Sequence, residues 1–228
     1  MKITPCDWDS KYFNKSVGAV SLTSQIPFGL EPSSYDLLYV RSSSPFNLEI
    51  PSFSETYAEV KIIYSKNNLQ RNDNASLPMH SFSELNMEPS ALYELAYESG
   101  KYSRFNLDAH FTTSDFKTLY TQWVDASVAG TWAKDVLVAL RDSEVVGFVT
   151  YQVHDDIGQI GLIGVAPAHQ GSGIGSTLIK SVENELVEQG VFSLNIPTQR
   201  NNEAACVFYE KMGYTKREEV HIKHFWKL

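Results

Sequence analysis

The chain has 228 residues, with 19 Lys and Arg against 27 Asp and Glu, a formal net charge of −8, and two cysteines, Cys6 and Cys206. Two cysteines make no disulfide framework, the acidity offers no basic stripe for nucleic acid, and no apolar run reaches the ~18–20 residues that span a bilayer. With no apolar leader either, the sequence reads as a cytoplasmic protein with no membrane partner, long enough to bury a sizeable core.

Strands are expected over Tyr35–Val40 and Ala58–Tyr64, both rich in β-branched and aromatic residues, with a Ser/Pro loop at Ser42–Phe46 between them. The polar stretch from Ser65 to Asn74 reads as a linker or long loop. It divides the chain into a β-rich N-terminal segment, residues 1–88, and a second segment, residues 89–228. Pro89 near the start and Gly100 beyond the end mark a helix over Pro89–Ser99. Phe116, Leu119, Tyr120 and Trp123 share one face of a helix over Thr113–Ser127. Strands follow at Val136–Leu140, Val145–Val153 and Ile157–Val165, the last two forming a hairpin around His154-Asp155-Asp156. Apolar residues at Ile174, Leu178, Ile179, Val182 and Leu186 mark a further helix, with a strand at Phe192–Ile196 after it. Asn202 is suited to cap a helix over Glu203–Met212 that Gly213 ends. Val220, Ile222 and Trp226 continue a final edge-like strand. The sum is an α/β fold with a mixed, twisted sheet.

Between the strand ending at Val165 and the following helix lies Gln170-Gly171-Ser172-Gly173-Ile174-Gly175. A Gly-rich turn at a helix N-terminus exposes backbone N–H groups and the positive end of the helix dipole, a ready site for a pyrophosphate. No Lys-Ser/Thr pair follows the last glycine, so it is no P-loop, and its bunched glycines do not make a dinucleotide fingerprint.

This loop, the preceding Leu162-Ile163-Gly164-Val165-Ala166-Pro167-Ala168-His169, and the later Asn202-x-x-Ala205-x-x-Phe208-Tyr209-Glu210-Lys211-Met212-Gly213-Tyr214 closely resemble the acetyl-CoA signature of the Gcn5-related N-acetyltransferase superfamily. The resemblance implies that Gln170, Gly171, Ser172, Gly173, Ile174 and Gly175 cradle the coenzyme A pyrophosphate. It implies that Asn202 lines the pantetheine, and that acetyl-CoA is a cosubstrate with no metal required. Acyl transfer to an amine develops an oxyanion, which needs a preorganised donor. The resemblance gives that task to the strand at Ile163, Gly164 and Val165, where Gly164 suits a bulge. The leaving thiolate needs a proton, and Tyr209 matches the superfamily's tyrosine general acid. Phe208 and Ala205 supply an apolar stripe, which turns Tyr209 about 100° away toward the ligand side.

Trp8-Asp9-Ser10-Lys11-Tyr12-Phe13, Tyr102-Ser103-Arg104-Phe105 and Leu119-Tyr120-x-x-Trp123 are similar to segments of the dTDP-fucosamine acetyltransferase family. Those bacterial enzymes N-acetylate a dTDP-linked 4-amino-4,6-dideoxyhexose for a surface polysaccharide such as enterobacterial common antigen. The similarity implies a nucleotide-sugar acceptor, an N-terminal half that extends the sheet, and a homodimer. Arg104 can grip a phosphate or carboxylate bidentately, and Tyr102 and Phe105 could stack on thymine or sugar. For the base that deprotonates the amine, His110, His154, Asp108, Asp155, Asp156 and a water chain all stay open. Lys101, Arg141 and Arg200 read as solvated charges.

Three readings follow: a nucleotide-sugar amine acetyltransferase, an acetyltransferase of another amine such as a protein N-terminus, polyamine or aminoglycoside, and a non-catalytic acyl-CoA-binding module. The net acidity suits a cationic acceptor and so favours the second. The intact loop with Asn202 and Tyr209 opposes the third.

Overall fold

The computed structural model describes residues 3–22, 32–72 and 78–228. In chain order these form β1 (Thr4–Pro5), α1 (Asp7–Phe13), β2 (Val17–Leu22), β3 (Leu37–Ser42), β4 (Phe53–Asn67) and β5 (Met79–Ser81). There follow α2 (Tyr93–Ser99), α3 (Arg104–Leu107), α4 (Thr113–Val128), β6 (Asp135–Arg141), β7 (Glu144–His154) and β8 (Ile157–Val165). The last are α5 (Ile174–Glu188), β9 (Ser193–Gln199), α6 (Glu203–Lys211) and β10 (Thr215–Lys227).

Ten strands form one mixed sheet in the order β1-β2-β3-β10-β4-β9-β8-β7-β6-β5. Strands from residues 1–88 therefore do more than lengthen an edge: β4 lies between β9 and β10. The final strand is not an edge. From His221 onward β10 is paired with β3 on one side and β4 on the other. Its first residues, paired with β4 alone, carry the polar pattern that reads as an edge.

Alternation along the strands divides the core between the two faces. Leu137, Val149 and Ile160 meet Ile174, Leu178, Ile179, Val182 and Leu186 of α5 on one face. On the other, Val138 and Phe148 meet Leu95 of α2 and Phe116, Leu119 and Tyr120 of α4. Helix α4 starts with a reciprocal capping box, Asp115 N–H to Thr112 Oγ1 and Thr112 N–H to Asp115 Oδ2. The β7–β8 hairpin turns on Asp155 and Asp156, with φ of 49° and 58°, the left-handed pair that a two-residue turn requires.

Two expectations are corrected here. The helix expected over Pro89–Ser99 begins as a 3-10 turn, Pro89–Leu92, before α2. Ser65 to Asn67, expected in a linker, belong to β4 and pair with Asn195 to Ser193 of β9. Leu69 is buried, its N–H donating to Phe192 O at 3.0 Å. The last two residues of that stretch, 73 and 74, lie outside the described residues.

Candidate active site

Strands β8 and β9 pair in parallel only at Gly158–Leu194 and Gln159–Asn195, then part. On its other side β8 stays on β7 as far as Val165. Leu162 N–H donates to Thr150 Oγ1 (2.9 Å) and Ala166 N–H to Val146 O (2.9 Å), both toward β7. By alternation the N–H groups of Ile163 and Val165 face the opening beside β9. A backbone donor held there in a partly apolar cleft gains by finding an acceptor.

The β7–β8 register breaks where Gly161 and Leu162 stand opposite Thr150. This corrects the expectation of a bulge at Gly164, which pairs regularly with Phe148. A Cβ on Gly164 would lie 2.5 Å from the Leu95 carbonyl oxygen, so the glycine admits the α2 backbone.

The opening widens into a cleft of about 510 Å³. Ile163, Gly164 and Val165 line one wall, and Asn202 and Tyr209 the other. Gln170, Gly171, Gly173 and Gly175 close the end at the start of α5. Gly171 and Gly173 have φ of 77° and 87°, and space is open where a Cβ would lie at either. The turn thus needs glycine for its backbone and leaves its amides bare. Gln170 Nε2 ties the turn to Val165 O at 3.2 Å. Ser172 Oγ donates to His169 O at 2.6 Å, and the Ile174 side chain is fully buried under α5. Both can therefore meet a ligand through their amides rather than through their side chains.

Asn202 Oδ1 accepts the Ala205 N–H at 3.3 Å, capping α6 while lining the cleft. The expected division of the α6 faces is corrected. Ala205, Phe208 and Tyr209 all line the cleft, and Tyr209, 5% exposed, goes deepest, its ring 5.8 Å from that of Tyr64. Burial, and secondarily Cys206, push the Tyr209 pKa well above the usual phenol range, so the hydroxyl stays protonated.

Strand β8 also lines a second cavity, of about 330 Å³, through Gly161 and Leu162. Its roof is Arg104 and Phe105 of α3 with Tyr120 and Trp123 of α4. Arg41 of β3 and Glu59 and Lys61 of β4 rise from its floor. Arg41 and Glu59 both pair with Ile222, which sets them on either side of β10. The Arg104 guanidinium is fixed against two rings, 4.4 Å from the Tyr39 centroid and 4.7 Å from that of Phe105. Arg41 Nε and Trp123 Nε1 are buried donors with no partner among the described residues. Burial lowers the pKa of both Arg41 and Lys61, and the neighbouring cations add to it. Burial raises that of Glu59, whose carboxylate accepts the Tyr57 hydroxyl at 3.1 Å.

Arg104 and Phe105 thus meet in the second cavity, whereas Tyr102 lies in the cleft, 5.6 Å below the Lys101 ammonium. Lys101 and Arg200 are exposed, as expected, and paired: Lys101 with Glu98 at the edge of the cleft and Arg200 with Glu219. None of the residues weighed as a base reaches either space. Asp108 is fully buried, its Oδ2 receiving His224 Nδ1–H (2.6 Å) and Trp226 Nε1–H (2.9 Å) and its Oδ1 the His110 N–H (3.1 Å). Burial works to raise the Asp108 pKa, yet those donors hold it down at about 2. Burial takes His224 down to about 4. His110 stacks on Trp226, and His154, Asp155 and Asp156 are exposed at the hairpin tip. Arg41, Glu59 and Lys61 were missed by sequence reasoning; for Glu59 and Lys61 the available signal was a strand carrying charges at alternate positions between apolar residues. Among the described residues no group of three or more His, Cys, Asp or Glu could hold a metal ion, and no helix is long and apolar enough to cross a membrane.

Residues 91–214, more than half of the chain, match the model of the acetyltransferase (GNAT) family. The spore coat polysaccharide biosynthesis protein SpsD of Bacillus subtilis is 27% identical over 139 residues, 61% of this chain and 48% of that protein. A mycothiol acetyltransferase of Streptomyces griseus is 32% identical over 105 residues, 44% of this chain and 34% of that protein. The chain spans about half, or less, of the length of these curated relatives. A GCN5-related N-acetyltransferase from Sphaerobacter thermophilus shares the fold with a TM-score of 0.52 at 15% identity, over 82% of this chain and 59% of that one.

Proposed function

This chain belongs to the acetyltransferase (GNAT) family, and from that premise we propose that it moves acetyl from acetyl-CoA to the 4-amino group of a dTDP-linked 4-amino-4,6-dideoxyhexose. The observation that carries the acceptor is the second cavity. Three cationic side chains, Arg41, Lys61 and Arg104, converge there with one carboxylate, next to the strand that the cofactor cleft shares. Unpartnered donors on Arg41 and Trp123 ask for acceptor oxygens, as a diphosphate supplies. A polyamine or aminoglycoside would meet like charge there, and this local field outweighs the net charge of −8. Similarity to a polysaccharide biosynthesis protein supports a role in surface polysaccharide synthesis. A homodimer belongs to the same reading.

The cleft suits acetyl-CoA on its own features. Bare amides from Gly171 to Gly175 would hold the pyrophosphate, the open N–H groups of Ile163 and Val165 the pantetheine and the thioester oxygen, and Asn202 the pantetheine chain. Acetyl-CoA supplies an activated acyl group. Tyr209, kept protonated by burial, is the acid on the cleft wall for the departing sulfur. Glu59, its pKa raised by burial, is the cavity's one carboxylate and the group suited to take the amine's proton.

An acceptor screen with acetyl-CoA tests the reading. Acetylation of a dTDP-4-amino-4,6-dideoxyhexose is the expected outcome. Turnover of peptides or polyamines, with none of several dTDP-amino sugars, would replace the acceptor and leave the acetyltransferase standing.

A further inference from the structure

Beside the cationic cavity stands a set of aromatic rings that the proposed chemistry does not use. Trp8 of α1 and Trp132, after α4, are 42% and 46% exposed, a large apolar surface to leave in water. Trp8 is stacked parallel to Tyr12, with centroids 5.3 Å apart and planes 1° apart, and still leaves 42% of its surface exposed. Trp132 stands next to it, 6.3 Å away and tilted by 55°. The Trp132 ring is also 6.3 Å from Trp123, the indole that lines the cavity with its unpartnered N–H. Helix α1 is moored at the same place. Burial raises the pKa of Cys6, the residue before it, while the nearby charges of Arg41 and Arg104 pull against that rise. Trp123, Trp132 and Trp8 thus lead outward from the cations to the surface.

We infer that Trp8 and Trp132 form a shelf on which the nucleobase of the acceptor stacks, outside the cavity that takes its diphosphate. This rests on the reading of the acceptor as a nucleoside-diphosphate sugar. An aromatic face attracts the π-face of any base and needs no hydrogen-bond pattern, so the shelf adds affinity for the nucleoside half without reading its identity. The aromatics expected for this task are engaged elsewhere. Phe105 is buried among Phe13, Phe111 and Trp123, and Tyr102 lies in the cofactor cleft. The diphosphate and the base would then be held by different parts of the chain, β3, β4 and α3 for the one, α1 and the segment after α4 for the other.

The test is calorimetric titration of the full chain with dTDP and with inorganic pyrophosphate, the protein being saturated with CoA so that the Gly-rich turn is filled. The wild type is expected to bind dTDP about tenfold or more tightly than pyrophosphate. In the Trp8→Ala/Trp132→Ala double variant dTDP should weaken to about the level of pyrophosphate, while pyrophosphate and CoA affinities hold. Trp132→Phe should keep most of the dTDP affinity. If the double variant loses CoA binding, the single variants Trp8→Ala and Trp132→Ala carry the same comparison. Unchanged dTDP affinity with CoA binding intact overturns the shelf and leaves the acceptor reading standing. Failure of the wild type to bind either dTDP or pyrophosphate overturns the acceptor reading, and the shelf with it.

Discussion

The cofactor cleft and the cationic cavity share β8 and are built from different materials. The cleft is made of backbone: amides at the start of α5, two left-handed glycines, and strand N–H groups left over where β8 and β9 part. The cavity is made of side chains: Arg41, Glu59, Lys61 and Arg104, drawn from β3, β4 and α3. A backbone site has a local cause, since a turn must sit next to its helix, so it is written in consecutive residues. A side-chain site needs only that strands meet, and its members can be far apart in the chain.

The largest break in this comparison falls on the support beneath the cavity. Asp108→Ala would leave the His224 and Trp226 ring N–H groups buried without their acceptor, and at about 1–3 kcal/mol for each stranded donor should cost several kcal/mol in chemical denaturation. Acid should undo the same pair by stages. The His224 pKa is lowered to about 4, so its contribution is complete above the ordinary histidine value of 6.5 and is lost as pH falls from there to about 4. The Asp108 contribution, with a pKa of about 2 against an ordinary 3.8, goes next, as pH falls through that lower window. Stability that stays flat from pH 7 to 3 would remove this account.

Next in size is the phenol buried in the cleft wall. Tyr209→Phe should lower kcat by about 10²-fold while the acetyl-CoA Kd holds, because proton donation is lost and the packing is kept. A wild-type kcat would make Tyr209 a packing residue. Arg104→Ala should raise the acceptor KM by the roughly 1.5–3 kcal/mol of a charge-assisted contact, a ten- to hundredfold change, with acetyl-CoA affinity unaltered. Equal losses on both ligands would end the division of the site into two parts. Smallest is Gly173→Val, where a β-branched residue must take a φ of 87°. It should weaken acetyl-CoA by about 1–2 kcal/mol in a direct binding assay and leave the acceptor alone. Unchanged acetyl-CoA affinity in a folded variant would remove the turn from the cofactor site.

Helices α4, α5 and α6 and the β7–β8 hairpin were legible because their causes are short-range, whereas the short helices α1 and α3 were not read. The Ile174–Leu186 periodicity, the Asn202 cap and the Asp155-Asp156 turn each act within a few residues. The β8 bulge was placed at Gly164 because a glycine in a strand advertises one, whereas the register breaks at Gly161 and Leu162, opposite Thr150 of the neighbouring strand. Nothing near Gly164 in the sequence reports that the Leu95 carbonyl will approach it. β10 read as an edge because its first residues are one; its partner β3 begins only at His221. Glu59 and Lys61 alternate with apolar residues along one strand, which marks the strand but not a cavity, and Arg41 has no local mark; β10 is what brings β3 and β4 to the same floor.

That arrangement also sets an order of assembly. The cleft's Gly-rich turn joins β8 to α5, adjacent stretches that can meet early in folding. The floor of the cavity waits for β10 to pair Trp226 with Leu37 and with Ser54 across most of the length of the chain, the kind of distant closure that slows folding. β1, β2 and β3 join the rest of the sheet only through β10. The Gly-rich turn can therefore be in place while the floor of the cavity is still open, and in hydrogen exchange the β3–β10 ladder should be the boundary at which β1, β2 and β3 come apart from the rest of the sheet.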